Sequence, residues 1–487
     1  MYDNTVLHVY IYLFTDYAVR LNHVGDWGTQ FGMLIRHLKE THPEALLASA
    51  PSDNNVAKDS PVAAAGDSDV QASAKSNPLS ITIGDLAVFY KESKKHFDAD
   101  KTFQDNARLE VVKLQAGDEE SLRVWRAFCD CSRREFQKIY DLLNVKLTER
   151  GESFYNPYLS SIVSELQTKG FAVESDGAQC VFLPGFKNRQ GDLLPLMVSK
   201  SDGGYLYATT DLAAVKQRVE EERADRIVYV TDAGQAQHFQ MVFACARLVG
   251  WVPEHVELVH VPFGVVQGED GAKLKSRSGD TVKLKDLLSE AVKLAEEDMM
   301  ARKAVPVTQD DDVAIEIEDL RPTSVVDLDQ AAAVEQEQSV GLTDEERYAA
   351  RVIGIASVKY ADLAMNRESD YRFSFKKMLA LKGNTAPYML YAYARIQGIR
   401  RKALLASTSS LGGAVGEVGA TAPGTEGPVT AKENALDGVK FSLISVQESR
   451  LARQLLKLED VLFDVEQSLY PNKVCPIHAC TRGDAQS

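Results

Sequence analysis

Between residues 207 and 261 the chain alternates between β-rich and helical patterns. Arg226-Ile-Val-Tyr-Val230 is a short β-rich run, and Val256-Glu-Leu-Val-His-Val261 is a second. Between them Phe239, Val242, Phe243, Ala246 and Val249 recur near helical spacing, which predicts a helix over Gln235–Gly250. Leu212, Val215 and Val219 mark an earlier helix. Strand–helix–strand order implies a parallel sheet with crossover helices. From Glu345 onward the pattern is helical, with apolar residues at three- and four-residue steps over Glu345–Leu363, Phe375–Leu404 and Gly438–Tyr470. The expectation is an α/β domain followed by an all-α domain.

Composition narrows the function classes. The 487 residues are 45% hydrophobic and 26% charged, which excludes wholesale disorder. At about 150 residues per domain this length suggests roughly three domains. No run approaches the ~18–20 apolar residues of a membrane span. The apolar stretch Val6–Phe14 is short, is broken by His8, and lacks a basic lead and a cleavage site, so neither a signal peptide nor a membrane partner is expected. Six cysteines make no disulfide framework, which points to a reducing, cytoplasmic setting. The net charge of −15 argues against a nucleic-acid partner at first sight, but Asp310–Glu337 alone carries ten acids and one base. The acidity is mostly local, and a basic face elsewhere stays open. Three stretches without aromatic residues, 45–80, 304–341 and 406–434, read as mobile insertions.

Four constellations carry possible chemistry. In Asn22–Met33, three glycines surround Asp26 and Trp27, with Asn22, Gly25, Gly28 and Gln30 beside them. Such a run suits a backbone turning tightly against a ligand, and equally an ordinary strand-to-helix turn. Tyr207, Asp211 and Gln235 offer acceptors for a cationic ligand, although Asp211 alone reads as a cap of the following helix. Lys273, Lys275, Ser276 and Arg277 form a basic loop suited to polyphosphate, or merely solvated surface. Asn384, Tyr388, Tyr391 and Arg395 interleave aromatics with a base ahead of Arg400, Arg401 and Lys402; this fits nucleotide stacking, or a core helix with a snorkelling basic end. Cys475, His478 and Cys480 are too few and lie in a polar tail, so no metal site is expected. Cys129 and Cys131 fall on an apolar helix as packed thiols.

The run Asn22–Met33 resembles the segment that follows the ATP-binding signature of arginyl-tRNA synthetases, a class I family. Four more runs agree in order: Gly151-Glu-Ser-Phe-Tyr155; Lys200–Tyr207 leading to Thr210-Asp211; Gly268-Glu-Asp270 with Lys273–Gly279; and Gly383–Arg395. The resemblance implies a class I Rossmann-like catalytic domain over 1–303, a helical tRNA/anticodon-binding domain over 342–470, and a tail at 471–487. It implies ATP-dependent activation of L-arginine and transfer to tRNA(Arg), with ATP as substrate accompanied by Mg²⁺ and no bound prosthetic group. Tyr207, Asp211 and Gln235 would hold the arginine side chain, the Lys273–Arg277 loop would close on ATP, and Asn384, Tyr388, Tyr391 and Arg395 would meet tRNA. A guanidinium has five donors in a rigid fork, matched by a carboxylate with Tyr and Gln oxygens; a lysine point charge would leave acceptors unpaired.

The sequence departs from the family in lacking its His-x-Gly-His signature and its Ser-Pro-Asn run, and the segment up to about Phe14 and the tail after Tyr470 match poorly. The chain therefore reads as truncated at both ends, and on its own as a very poor catalyst. The rival reading is a non-catalytic synthetase-derived fragment binding tRNA, arginine or other synthetases, and a different class I synthetase is a third. A monomer is expected. The charge of Asp310–Glu337 generates a test: deleting residues 304–341 should leave the fold intact and tighten tRNA binding slightly at low salt, with the gain shrinking as salt rises. Filter binding across a salt series checks this, and unfolding on deletion would contradict it.

Overall fold

A computed structural model describes residues 18–43, 83–188, 190–201, 203–268, 270–271, 282–303, 341–411 and 442–475. The expected insertion at 45–80, nearly all of 304–341, most of 406–434, the loop Lys273–Arg277, and His478 and Cys480 lie outside those residues. Contacts group the chain into two units: Val19–Ile227 with His238–Leu258, and Met1–Ala18 with Val228–Gln237 and Val259–Ser487.

The first unit opens with β1 (Leu21–Asn22) and α1 (Thr29–Thr41), followed by the helices α2 (Ile83–Ala99), α3 (Lys101–Gln115) and α4 (Glu119–Leu143). Local chemistry sets the helix ends. The Asp100 carboxylate accepts from Thr102 N at 2.8 Å to start α3, and Asp118 accepts from Ser121 N at 2.9 Å to start α4. Asn144 stops α4 in the left-handed region at φ 51°. Phe31, Leu34, Ile35 and Leu38 line one face of α1 and meet Leu114, Val124, Ala127 and Phe128 in one apolar cluster. An ion network joins the same three helices. Lys39 Nζ lies 2.8 Å from Glu110 and 2.9 Å from Glu120, and Lys113 and Ser121 also reach Glu110, which is only 2% exposed.

β2 (Thr148–Glu149) pairs in parallel with β1. After α5 (Asn156–Thr168), β3 (Ala172–Ser175), β4 (Ala178–Lys187) and β5 (Leu193–Ser199) form an antiparallel sheet in that order. Asp176 and Gly177, at φ 50° and 78°, make the two-residue turn between β3 and β4. The alternation read from the sequence does not anticipate this sheet. α6 (Tyr207–Glu220) follows, its first turn tied to β5 by the Thr209 hydroxyl, which donates to the Val198 carbonyl.

β6 (Arg226–Asp232), α7 (Ala236–Leu248) and β7 (Glu257–Phe263) reproduce the strand–helix–strand order of the sequence, with β6 and β7 neighbours in one sheet. In the second unit Val228, Val230, Val259 and Val261 on these strands pack with Leu469. β8 (Val266–Gln267) pairs in parallel with β9 (Tyr371–Arg372). α8 (Leu284–Lys303) lies against α9 (Asp344–Leu363), which starts from a Thr343/Glu346 capping box.

The later helices differ from the expected boundaries. Phe375–Leu404 is not one helix but two, α10 (Phe375–Met378) and α11 (Ala386–Leu411). Pro387 explains the restart: it lacks an N–H, which only the first turn of a helix tolerates. The Thr385 hydroxyl donates to the Ala380 carbonyl at 2.6 Å and holds the intervening turn. α11 also runs to Leu411, past the expected loop boundary at Ala406. Gly438–Tyr470 likewise resolves into α12 (Val446–Leu456), capped by Ser445 and Glu448, and α13 (Leu458–Ser468). Arg367 then gathers the unit's far ends. It donates to the carbonyls of Pro262 and Leu469, each at 3.0 Å, and lies over the Tyr470 ring at 4.1 Å.

Burial alone would lower the Lys39 pKa, but its bonds to Glu110 and Glu120 outweigh that and raise it. Lys39→Met should therefore destabilise the first unit by about 1–3 kcal/mol, because buried Glu110 loses its shorter ion pair and keeps only Lys113 and Ser121. Lys39→Met with Glu110→Met should recover most of that loss. Urea unfolding followed by tryptophan fluorescence reads both, and equal losses in the single and double variants would contradict it.

Candidate active site

Asp26 holds the glycine-rich turn in place. It is 7% exposed, and its two carboxylate oxygens accept from Ser153 N at 2.8 Å and Ser153 Oγ at 2.6 Å. Its backbone carbonyl accepts from Trp125 Nε1 at 2.7 Å, and Trp27 meets Trp125 edge-on at 5.4 Å. Gly151 is required by this contact, since a Cβ there would overlap the Asp26 carboxylate. Gly28 caps α1 at φ 111°, a conformation that disfavours side chains. Asn22 bonds to the Tyr140 hydroxyl, and Gln30 Nε2 donates to the Gly25 carbonyl at 3.1 Å. The turn Asn22–Gln30 is thus docked on Gly151–Tyr155 and on α4. A cavity of about 370 Å³ opens beside it, lined by Trp27, Trp125, Arg133, Arg150 and Phe154 among others. Tyr207 and Asp211 do not line that cavity, so it does not mark the predicted arginine site.

Tyr207 and Asp211 stand one turn apart on α6. Asp211 is the fifth residue of the helix and Leu206 is the N-cap, so Asp211 does not cap it. The Asp211 carboxylate is buried, at 8% exposure, whereas Tyr207 is 63% exposed. His238, on the first turn of α7, reaches Asp211 Oδ2 from Nε2 at 2.6 Å, and its ring lies 4.7 Å from that of Tyr207. His23 approaches Oδ1 at 3.9 Å, outside hydrogen-bond range, and its ring lies 5.5 Å from buried Tyr155. Gln235 is exposed and ends the short turn Ala233–Gln235, which Asp232 shapes by accepting from Gly234 N at 2.8 Å.

The surroundings are rich in carboxyls. Burial, followed by the charges of Asp211 and Asp26, pushes Glu152 up to about 7. Burial lowers His23, against the opposing pull of Asp211. Arg218, 8% exposed, donates to the Tyr155 hydroxyl at 3.3 Å. A planar cation would find a buried carboxylate, a second carboxyl held partly protonated by burial and by its neighbours' charge, and a phenol. The sequence reading did not select Glu152 or His238 as site residues. Their signals were present: Glu152 lies inside a family-like run, and His238 falls one helical turn after Gln235.

Asn384, Tyr388, Tyr391 and Arg395 recur at steps of four, three and four, with Asn384 in the turn before α11 and the other three on its first turns. Asn384 and Arg395 are exposed and the two tyrosines half-buried, so the face is partly core and partly surface. Asn384 accepts from the Tyr360 hydroxyl at 2.5 Å. Cys129, Cys131 and Cys475 are all buried, and burial raises Cys129 to about 12. Among the described residues no group of three or more His, Cys, Asp or Glu could hold a metal ion, and no helix is long and apolar enough to cross a membrane.

A family profile described as tRNA synthetases class I (R), catalytic domain, matches residues 6–59 and 68–329. The chain belongs to the class I arginyl-tRNA synthetases. The match begins at residue 6, within the segment up to about Phe14 that resembles the family poorly in sequence. An arginine–tRNA ligase of Picosynechococcus sp. is 48% identical over 458 residues, covering 94% of this chain and 64% of that protein. An arginine–tRNA ligase of Nostoc sp. is likewise 48% identical, with 63% of its length covered. The chain thus spans just under two thirds of these synthetases. The crystal structure of arginyl-tRNA synthetase from Plasmodium falciparum superposes with a TM-score of 0.66 at 26% identity, covering 98% of this chain and 65% of that one. The Thermus thermophilus arginyl-tRNA synthetase shares the fold at TM-score 0.59 and 16% identity, over 98% of this chain and 68% of that one.

The raised Glu152 carboxyl gives stability a definite pH dependence. Its pKa rises from 4.5 to about 7 on folding, so the folded state favours the protonated form. That contribution is fully present below pH about 4.5 and is lost as pH rises through about 7. Glu152→Gln should therefore raise the melting temperature relative to the parent progressively between pH 5 and pH 8. A difference that does not change with pH would contradict the assignment.

Proposed function

We propose that this chain acts in the ATP-dependent attachment of L-arginine to tRNA(Arg). The observation that carries the reading is the buried Asp211 carboxylate beside Tyr207 on α6, with Glu152 raised by burial and then by the neighbouring charges of Asp211 and Asp26. A guanidinium stays protonated at all working pH values and presents donors in a planar fork. Asp211 supplies the charged, bidentate-capable partner, the Tyr207 hydroxyl takes a further donor, and Gln235 supplies an amide oxygen. Lysine brings a point charge of different reach and leaves acceptors unpaired, so the set selects arginine.

In the proposed reaction the arginine carboxylate attacks the α-phosphorus of ATP, forming arginyl-adenylate and releasing pyrophosphate. A ribose hydroxyl at the tRNA terminus then attacks the acyl carbon and AMP leaves. Both steps depend mainly on positioning and charge stabilisation. Asp26, Gly28 and Gln30 keep the glycine-rich turn rigid beside the reacting groups. Lys275, with Lys273, Ser276 and Arg277, would neutralise the phosphates, and Mg²⁺ would arrive with ATP. The tRNA would contact α11 through Asn384, Tyr388, Tyr391 and Arg395, where exposed Arg395 and the half-exposed tyrosine rings suit phosphate and base. The setting we propose is cytoplasmic.

Calorimetry with L-arginine tests the reading. Asp211→Asn should weaken binding by roughly 3–5 kcal/mol, because a buried charge pair loses one member. Tyr207→Phe should cost only about 1 kcal/mol, since that hydroxyl is largely in water. Equal affinity in the parent and Asp211→Asn would overturn the assignment.

A further inference from the structure

We propose that His238 is a positioning residue for arginine selection, orienting the Asp211 carboxylate and seating the Tyr207 ring so that both address a guanidinium plane together. The inference rests on the arginine reading above and extends it to a residue that touches no substrate atom.

His238 touches both partners at once. Its Nε2 stands 2.6 Å from Asp211 Oδ2, and its ring packs 4.7 Å from the Tyr207 ring at 57°. An ionised carboxylate only accepts, so Nε2 carries the proton, and the bond fixes the rotation of the carboxylate plane. The side chains of the pair are 15% and 12% exposed, so water competes poorly for this bond. Nothing else described holds Asp211 so closely: His23 remains at 3.9 Å from Oδ1. The bond occupies Oδ2 on one side, leaving Oδ1 and the remaining Oδ2 lone pair for a two-pronged donor.

Orientation matters for one ligand class and not for another. A guanidinium makes two parallel bonds to a carboxylate only when the two planes match. An ammonium is a point charge and is nearly indifferent to the rotation of the carboxylate. If His238 sets that rotation, losing its N–H should weaken arginine more than lysine, and the selectivity ratio records the difference. Tyr207, one turn before Asp211, needs a second constraint because 63% of it is exposed. The imidazole face supplies one.

The test uses the full chain and two substitutions that separate the two contacts. His238→Phe keeps a ring for Tyr207 and removes the donor. His238→Gln keeps a donor at about the reach of Nε2 and removes the ring. Calorimetry with L-arginine and L-lysine, with thermal melts as a fold check, should show arginine affinity falling about ten-fold in His238→Phe, the worth of one buried hydrogen bond. The arginine-to-lysine ratio should fall with it. His238→Gln should stay within about three-fold of the parent. If His238→Phe fails to fold, His238→Ala takes its place with the same expectation. Parent-like affinity and selectivity without the donor, or equal losses in the Gln and Phe variants, overturns the proposal. Asp211→Asn in the same series separates the two ideas. If that variant loses arginine and the donor-free variant does not, only the role of His238 fails. If Asp211→Asn binds as the parent does, or the parent binds no arginine, the underlying reading fails too.

Discussion

The first unit depends on a carboxylate that does no chemistry. Asp26 is buried with both oxygens bonded to Ser153, and its carbonyl takes the indole N–H of Trp125. Those bonds join three segments distant in sequence: the turn after β1, the Gly151–Tyr155 turn, and α4. Removing the carboxylate would take away the partner of both the half-buried Ser153 hydroxyl and its N–H, at about 1 kcal/mol each. It would also free the two segments that carry His23 and Glu152. The charge of Asp26 acts at a distance as well, helping to hold Glu152 protonated near neutrality. One buried acid thus sets the shape of the carboxyl-rich region and adds to its field, behind burial and Asp211.

The α6 end of that region is fixed by different means. Thr209 ties the first turn of α6 to β5, and Tyr207 and Asp211 fall on either side of that anchor. Their four-residue spacing places them one turn apart on the same helix. The burial difference between them is chemically useful. A buried carboxylate gives a strong, oriented charge, while an exposed phenol adjusts to the incoming ligand.

The alternation over residues 207–261 was legible because strands and helices there have clean periods, and β6, α7 and β7 fall where the pattern puts them. The glycine-rich turn was legible from glycines that the geometry does require, Gly28 by its positive φ and Gly32 by its close approach to Ala107. The antiparallel sheet of β3–β5 was missed, although Asp176-Gly177 between apolar runs is a strong hairpin signal. Pro387 could have separated α10 from α11, because proline at that point marks a helix start. His238 and Glu152 were harder to find. Glu152 lies in a family-like run and His238 one turn after Gln235, but what makes them matter is proximity to Asp26 and Asp211, which their local patterns do not encode.

Arg367 has a consequence for how the chain is made. Its guanidinium draws on carbonyls 102 residues later and 105 residues earlier in the sequence, at Leu469 and Pro262. When Arg367 leaves the ribosome, Pro262 is already available but Leu469 and Tyr470 are not yet synthesised. At ordinary elongation rates that interval is roughly 5–20 s. Throughout it, a cation destined for burial must stay hydrated, and the valine face of β6 and β7 waits for Leu469 to cover it. The second unit therefore closes late in translation. Until then its strand pair presents uncovered apolar surface, the state in which nascent chains are most exposed to misassembly and most in need of chaperones.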